Sequence, residues 1–153
     1  MNLIKGNHMA TKIHSIEDKC LISWATGDHY TGFSDIYQAI SDTCSYSENK
    51  VTELLCVLED CFDSIAMLST LNVKKEHRGD SYGTQLVKHF IDRTKDSEIR
   101  ILFANFETPQ ADGFNLIDFY AKYGFFPINC SQGQMLMVSK EHAELINKEF
   151  LGL

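Results

Sequence analysis

The stretch Leu71-Asn72-Val73-Lys74-Lys75-Glu76-His77-Arg78-Gly79-Asp80-Ser81-Tyr82-Gly83-Thr84-Gln85-Leu86 decides the interpretation of this chain. An apolar strand, predicted over residues 65–73, runs into a short basic turn, and the turn opens a helix. Successive backbone N–H groups at the start of a helix converge on a bound anion. The stretch therefore predicts a phosphate cradle in the turn formed by residues 78–84.

The predicted elements on either side of the turn define an α/β or α+β fold. Tyr82, Leu86 and Phe90 recur every four residues, as in a helix with one buried stripe that ends near residue 96. Residues 99–106 form a strand that is apolar on both faces, which places it in the centre of a sheet. Two such strands joined by a helix make a parallel βαβ unit. We expect a mixed, mostly antiparallel sheet of about six strands flanked by helices.

The remaining elements are predicted from shorter patterns. Along the chain these are a first strand over residues 20–25 closed by residues 26–28, a helix over 34–44 capped by Ser34 or Asp35, a polar loop over 45–50, a strand over 51–58 with a hairpin at Glu59-Asp60, a short helix over 116–123 ended by Gly124, a strand pair over 125–128 and 135–138 around residues 131–133, and a last helix over 140–150 capped by Ser139.

Length and composition predict one ordinary globular domain over residues 12–153, since 44% of the residues are hydrophobic and 23% are charged. Residues 1–11 are interpreted as a flexible leader or a tag remnant. There is neither a run of about 18 apolar residues for a membrane span nor a signal-peptide core. The five cysteines include no C-x-x-C and no metal-ligand spacing, so we predict reduced thiols, no metal site and a cytoplasmic location.

The net charge of -7 argues against nucleic-acid binding, which needs a basic face. It is compatible with a cationic amine or a lysine-bearing protein as substrate, and equally with a role in solubility alone. Among phosphate-binding patterns, no lysine follows Gly83 as a Walker motif requires. The three spaced glycines and downstream acid of a dinucleotide-binding fold are also missing.

The residues themselves resemble the GNAT family of acetyl-CoA-dependent N-acyltransferases over roughly residues 65–138. That family carries R/Q-x-x-G-x-G/A between a strand and a helix, and this chain has Arg78-Gly79-Asp80-Ser81-Tyr82-Gly83. One helix and one strand later, Tyr120-Ala121-Lys122-Tyr123-Gly124-Phe125 matches the family's Y-x-x-x-G-F. The order and spacing of the two motifs strengthen the resemblance.

The resemblance implies a role for each motif. The pantetheine arm of acetyl-CoA would lie along Leu71, Asn72 and Val73, and the Leu71 N–H would help to hold the carbonyl oxygen. The pyrophosphate would sit on the turn, and the acceptor would be an amine on a small molecule or a protein. Tyr120 would protonate the leaving thiolate as a general acid. The residues implied in the turn are Arg78, Gly79, Asp80, Ser81, Tyr82, Gly83 and Thr84.

The catalytic base and the acceptor have no readable motif. Glu53, Glu59, Glu107 and His77 are base candidates by residue type only. Ser81 replaces the first signature glycine, and Asp80 places a negative charge beside the predicted phosphate. These departures keep two alternatives open, a catalytically weak CoA-binding module and an interaction protein with the same fold. The last helix is compatible with packing on the domain or on a second copy in a homodimer.

Overall fold

The computed structural model describes residues 11–105 and 115–152 of the 153-residue chain. In chain order the elements are β1 Thr11–Ile16, β2 Cys20–Asp28, α1 Ser34–Thr43, α2 Glu48–Cys61, β3 Ser64–Val73, a 3-10 turn Lys75–His77, α3 Tyr82–Arg93, β4 Ile99–Asn105, α4 Leu116–Ala121, β5 Phe125–Ser131, β6 Gln134–Ser139, a 3-10 turn Lys140–His142, α5 Ala143–Ile146 and a π-helical turn Asn147–Leu151.

The six strands form one sheet in the order β1-β2-β3-β4-β6-β5. β3 and β4 run parallel, and the other neighbouring pairs are antiparallel. The two strands predicted to be central are central, and α3 joins them. The predicted mixed sheet with one parallel βαβ unit is therefore confirmed.

Each face of the sheet carries its own apolar cluster, because successive side chains of a strand point to opposite faces. α1, α2 and the C-terminal helical residues cover one face, and α3 and α4 cover the other. The first cluster takes Ile65, Met67, Ile99 and Ile101 from the central strands. The second, called here the α3-side cluster, takes Ala66, Leu68, Leu102 and Ala104 from the same strands.

The strand predicted over residues 51–58 is wrong, because this segment belongs to the 14-residue helix α2. Val51, Leu54 and Leu58 are buried, while Thr52 and Glu53 between them are exposed. That spacing of three and four residues places the apolar side chains on one helical face. The predicted loop over residues 45–50 is shorter than expected, since Ser47 accepts a hydrogen bond from Lys50 N and caps the helix.

The predicted boundaries also need correction at several strand and helix ends. The strand predicted over residues 20–25 is β2, the second strand of the chain, because β1 precedes it. This strand continues through Gly27 to Asp28. Phe33 occupies the N-cap of α1 and makes no side-chain cap bond, so neither Ser34 nor Asp35 caps that helix. Ser139 does not cap the last helical segment, since its hydroxyl accepts from Arg100 N at 2.8 Å.

The other predicted elements are confirmed, with ends that differ by a few residues. These are α1, β3, α3, β4, α4 and the β5–β6 pair. Gly124 follows α4 with a φ of 89°, a conformation that glycine adopts at no steric cost. Residue 106, predicted as the last of β4, and the predicted loop with Pro109 and Gly113 lie outside the described residues. Among the described helices, none is long and apolar enough to cross a membrane.

Candidate active site

The two central strands, β3 and β4, stop pairing with each other towards their carboxyl ends. The parallel ladder joins residues 65–68 of β3 to residues 99–102 of β4, and no described pair joins the two strands beyond Leu68. β3 nevertheless continues for five residues, held on its other side by β2. The β3 edge over residues 69–73 is therefore open to an extended ligand, which can pair with it as an added strand does.

A β-bulge in β3 marks the point where the strands separate. Ser23 pairs with Thr70 and Trp24 pairs with Leu68, so Ser69 is an extra residue with no partner in β2. A bulge bends a strand and shifts the alternation of its side chains by one residue. As a result Leu71 and Val73 pack against the α3-side cluster, the same cluster that contains Leu68.

The turn after β3 has the backbone of an anion-binding site. Arg78 has φ -71° and ψ 140°, Gly79 has φ 94°, and Ser81 has φ 66° at the N-cap of α3. A left-handed residue next to a right-handed one brings successive backbone N–H groups to one side. Ser81 directly precedes the 12-residue helix α3, which adds its dipole at the same place. Arg78 Nε also donates to Val73 O at 3.0 Å, which joins the turn to the open strand edge.

The packing of the described residues does not explain why position 83 is a glycine. Gly83 is the second residue of α3. A Cβ at this position would meet Phe119 Cζ at 3.5 Å, an ordinary contact, so packing of the described residues does not require glycine. A glycine that the packing does not need leaves room for the close approach of a pyrophosphate to the helix N-terminus.

Tyr120 lies on α4 in the α3-side cluster and is only 6% exposed. Its ring contacts Phe119 and Phe125 edge-on, with centroids 5.2 and 6.0 Å apart. Burial raises the pKa of the Tyr120 phenol further above neutrality, because the charged form loses its hydration. The cluster joins Tyr120 to Leu71 and Val73, and it therefore brings the predicted acid and the predicted cofactor strand to one face of the sheet.

Two further residues position the turn, and sequence reasoning missed both. Tyr123 donates from its hydroxyl to Thr84 Oγ1 at 2.9 Å and so ties α4 to the first turn of α3. Lys19, in the turn between β1 and β2, donates from Nζ to the Tyr82 hydroxyl at 3.0 Å. The sequence carries no sign of either contact, since 39 and 63 residues separate the partners.

The base candidates do not converge on the site. Glu59 lies in the last turn of α2, which leads directly into the amino end of β3, at the far end of the sheet from the open edge. Glu53 is exposed on the same helix. His77, in the 3-10 turn after β3, lies at the correct end, with its ring edge-on to Tyr82 at 6.0 Å. Glu107 lies outside the described residues.

Hydrogen bonds join the segment after α1 to the β5–β6 hairpin. Gln134 accepts from Ser45 N and donates to Thr43 O, both at 2.7 Å. Tyr46 donates to Asn129 Oδ1 at 3.0 Å, and burial raises the pKa of its phenol. The α1–α2 loop is therefore joined to the β5–β6 hairpin on the face opposite α3.

Comparison with known proteins identifies the family of the chain. The model of the acetyltransferase (GNAT) family matches residues 17–125, from the turn before β2 to the first residue of β5. The chain therefore belongs to the GNAT family of N-acetyltransferases, whose acetyl donor is acetyl-CoA. No curated protein sequence matches the chain.

Three solved structures illustrate the likeness. A histone acetyltransferase HPA2 and related acetyltransferase from Corynebacterium glutamicum is 17% identical, with a TM-score of 0.52 over 89% of this chain and 67% of that one. A Pyrococcus horikoshii protein is 12% identical, with a TM-score of 0.52 over 89% and 70% of the two chains. The PaiA N-acetyltransferase of Thermoplasma acidophilum, solved with coenzyme A, is 15% identical, with a TM-score of 0.47 over 89% and 64%. At these identities the first two show a shared fold.

Proposed function

We propose that this chain transfers an acetyl group from acetyl-CoA to a primary amine, on a small polyamine-like or aminoglycoside-like molecule or on a protein lysine or N-terminus. The observation that carries the proposal is the open edge of β3 over residues 69–73, which leads directly into the turn at the start of α3. An extended pantetheine arm pairs with the edge, and its pyrophosphate accepts from the N–H groups of the turn.

The reaction proceeds by direct attack. Acetyl-CoA supplies an activated thioester. The substrate ammonium releases one proton to solvent, its neutral nitrogen bonds to the acetyl carbon, and the nitrogen releases a second proton to solvent as the amide forms. The Leu71 backbone N–H donates to the carbonyl oxygen as negative charge develops on it. The carbon–sulfur bond then breaks, and Tyr120 passes its phenolic proton to the departing sulfur and regains one from solvent.

Turnover by the full chain with acetyl-CoA and a panel of amines tests the proposal, with acetylated product measured by mass spectrometry. We expect Tyr120→Phe to lower kcat by about 100-fold, a typical contribution of general acid catalysis. Tyr30→Phe is the matched control, because Tyr30 is 97% exposed. Full turnover by Tyr120→Phe at every pH between about 6 and about 9 would rule out the acid role.

The alternative is a CoA-binding module that transfers nothing, and Ser81 is the observation that favours it. Ser81 holds a left-handed backbone that strains any residue with a Cβ, at the place where glycine is usual in the family. Calorimetry separates the two functions. CoA binding without acetylation of any amine in the panel would support the binding module, and absence of CoA binding would overturn both.

The proposal extends to the setting of the protein. We propose a single domain that acts in the cytoplasm on amines, without nucleic acid or membrane as partner. Assembly as a homodimer is a separate proposal, and sedimentation of the purified chain tests it. Ala143, Ile146 and Phe150 of the C-terminal helical residues pack on the domain itself.

A further inference from the structure

The turn between β1 and β2 contacts both ends of the segment 74–82, which leads from β3 into α3. The backbone oxygen of Lys19 accepts from Lys74 N at 2.9 Å, at the point where β3 ends. The side chain of the same residue donates from Nζ to the hydroxyl of Tyr82, the first residue of α3, at 3.0 Å. Lys19 therefore spans the turn that leads from the strand to the helix N-terminus.

The Lys19 ammonium is a stable positive charge. Hydrogen bonds to the hydroxyl of Tyr82 and to Glu17 raise its pKa. An ammonium has three N–H donors, and among the described residues two partners are recorded, Tyr82 and Glu17. Among these donors one is left over, and a ligand that replaces Glu17 can use it together with the donor that Glu17 releases.

The local charge balance gives this ammonium its importance. Within residues 74–80 the cations Lys74, Lys75 and Arg78 are opposed by Glu76 and Asp80. A diphosphate on the turn brings further negative charge next to Asp80, and an additional cation has to offset it. Glu17 lies 2.9 Å from the Lys19 ammonium and its side chain is 69% exposed, so it can move to solvent when a phosphate takes its place.

We propose that Lys19 is a specificity-determining residue of the cofactor site, where its ammonium binds a phosphate of CoA in exchange for Glu17. The inference rests on the proposed function, since it assumes that CoA occupies the turn. It assigns opposite roles to the two partners of one ion pair. Lys19 favours the bound phosphate, and Glu17 competes with that phosphate for the ammonium.

Calorimetric titration of the full chain with CoA, 3′-dephospho-CoA and pantetheine tests the assignment. Lys19→Gln should raise the Kd for CoA about fivefold, the usual scale for one partly exposed ion pair. It should also reduce the salt dependence of binding and leave the Kd for pantetheine, which has no diphosphate, unchanged. A fivefold change that persists with 3′-dephospho-CoA places the contact on the pyrophosphate, and one that disappears places it on the 3′-phosphate.

The sign of a second variant separates charge from structure. Glu17→Gln should lower the Kd for CoA, because the competing carboxylate is gone. A structural role for the turn predicts the reverse, since either substitution removes a bond that holds it. Lys12→Gln is the matched control, because Lys12 is an exposed lysine of β1 and its loss changes the net charge equally.

Equal Kd values for Lys19→Gln and Lys12→Gln would overturn the inference, as would weaker CoA binding in Glu17→Gln. If Lys19→Gln does not fold, Glu17→Gln decides by its sign alone. If the wild-type chain binds pantetheine and CoA equally well, the inference fails while the proposed function stands. If it binds neither, the proposed function itself fails.

Discussion

The side chain of Arg100 binds the C-terminal end of α3, the helix that follows the predicted phosphate-binding turn. Arg100 lies on β4, and its guanidinium donates to Thr94 Oγ1 at 2.8 Å, to Thr94 O at 2.9 Å and to Ile91 O at 3.1 Å. Ile91 lies in the last turn of α3 and Thr94 is its C-cap residue. Their carbonyls also accept from Thr94 N at 3.3 Å and from Ser97 N at 3.0 Å, and the guanidinium adds side-chain donors to this helix end. Arg100 thus caps α3 from the neighbouring strand.

The cost of losing this cap follows from the geometry. Lysine keeps the positive charge but replaces the planar fork with a single ammonium, so Arg100→Lys retains at most one of the three bonds. Each lost bond contributes about 1 kcal/mol net, which gives about 2 kcal/mol for Arg100→Lys. For a chain of this size, that loss lowers Tm by about 4–8 °C.

Urea denaturation followed by circular dichroism measures the change as a shift of midpoint at constant slope. Arg93→Lys is the matched control, because Arg93 is an exposed residue of the same last turn with no recorded bond to these carbonyls. The reasoning is refuted if Arg100→Lys costs less than about 0.5 kcal/mol, the usual scale for surface substitutions.

Three further predictions test the helix α2, the N-cap of α3 and a histidine pair. Leu54→Ala should cost about 3–4 kcal/mol in urea, because Leu54 is fully buried, against under about 0.5 kcal/mol for exposed Glu53→Ala. Ser81→Gly should stabilise by about 0.5–1 kcal/mol in thermal unfolding, since it removes left-handed strain but adds glycine entropy, whereas Ser81→Ala should give no gain. Burial and the neighbouring His14, whose ring centroid lies 3.7 Å from that of His89, lower the pKa of His89. The free energy of unfolding should therefore fall as pH drops below about 6.5, and it should fall less steeply in His89→Gln. Equal pH slopes would contradict this last assignment.

The sequence predicted the βαβ core because its elements carry long, regular patterns. The β3 and β4 strands are apolar on both faces, and α3 has one clear stripe. The segment over residues 51–58 was predicted wrongly, since a short apolar run fits a buried strand and a buried helix alike. Its helical spacing of Val51, Leu54 and Leu58, together with Ser47 as N-cap, was the available signal for α2.

For the candidate site, local pattern indicated the turn and the family resemblance indicated Tyr120, but neither indicated the residues that contact them. Lys19 and Tyr123 act through contacts between distant parts of the chain, and these depend on how the sheet and helices pack. The bulge at Ser69 could not be predicted either, because the pattern of an apolar strand does not indicate where an extra residue is inserted. A strand predicted with strict alternation assigns Leu71 and Val73 to the wrong face.

The extra residue Ser69 explains why the side chains of Leu71 and Val73 lie on the same face of the sheet as the predicted acid, Tyr120. Without the bulge, period-two alternation would group Leu71 and Val73 with Ile65 and Met67, on the face covered by α1 and α2. With it, both side chains join the α3-side cluster, which contains Tyr120. The same bulge lies where the parallel ladder ends, because a bent strand cannot stay in register with β4. The end of strand pairing and the direction of the Leu71 and Val73 side chains are thus two effects of one inserted residue.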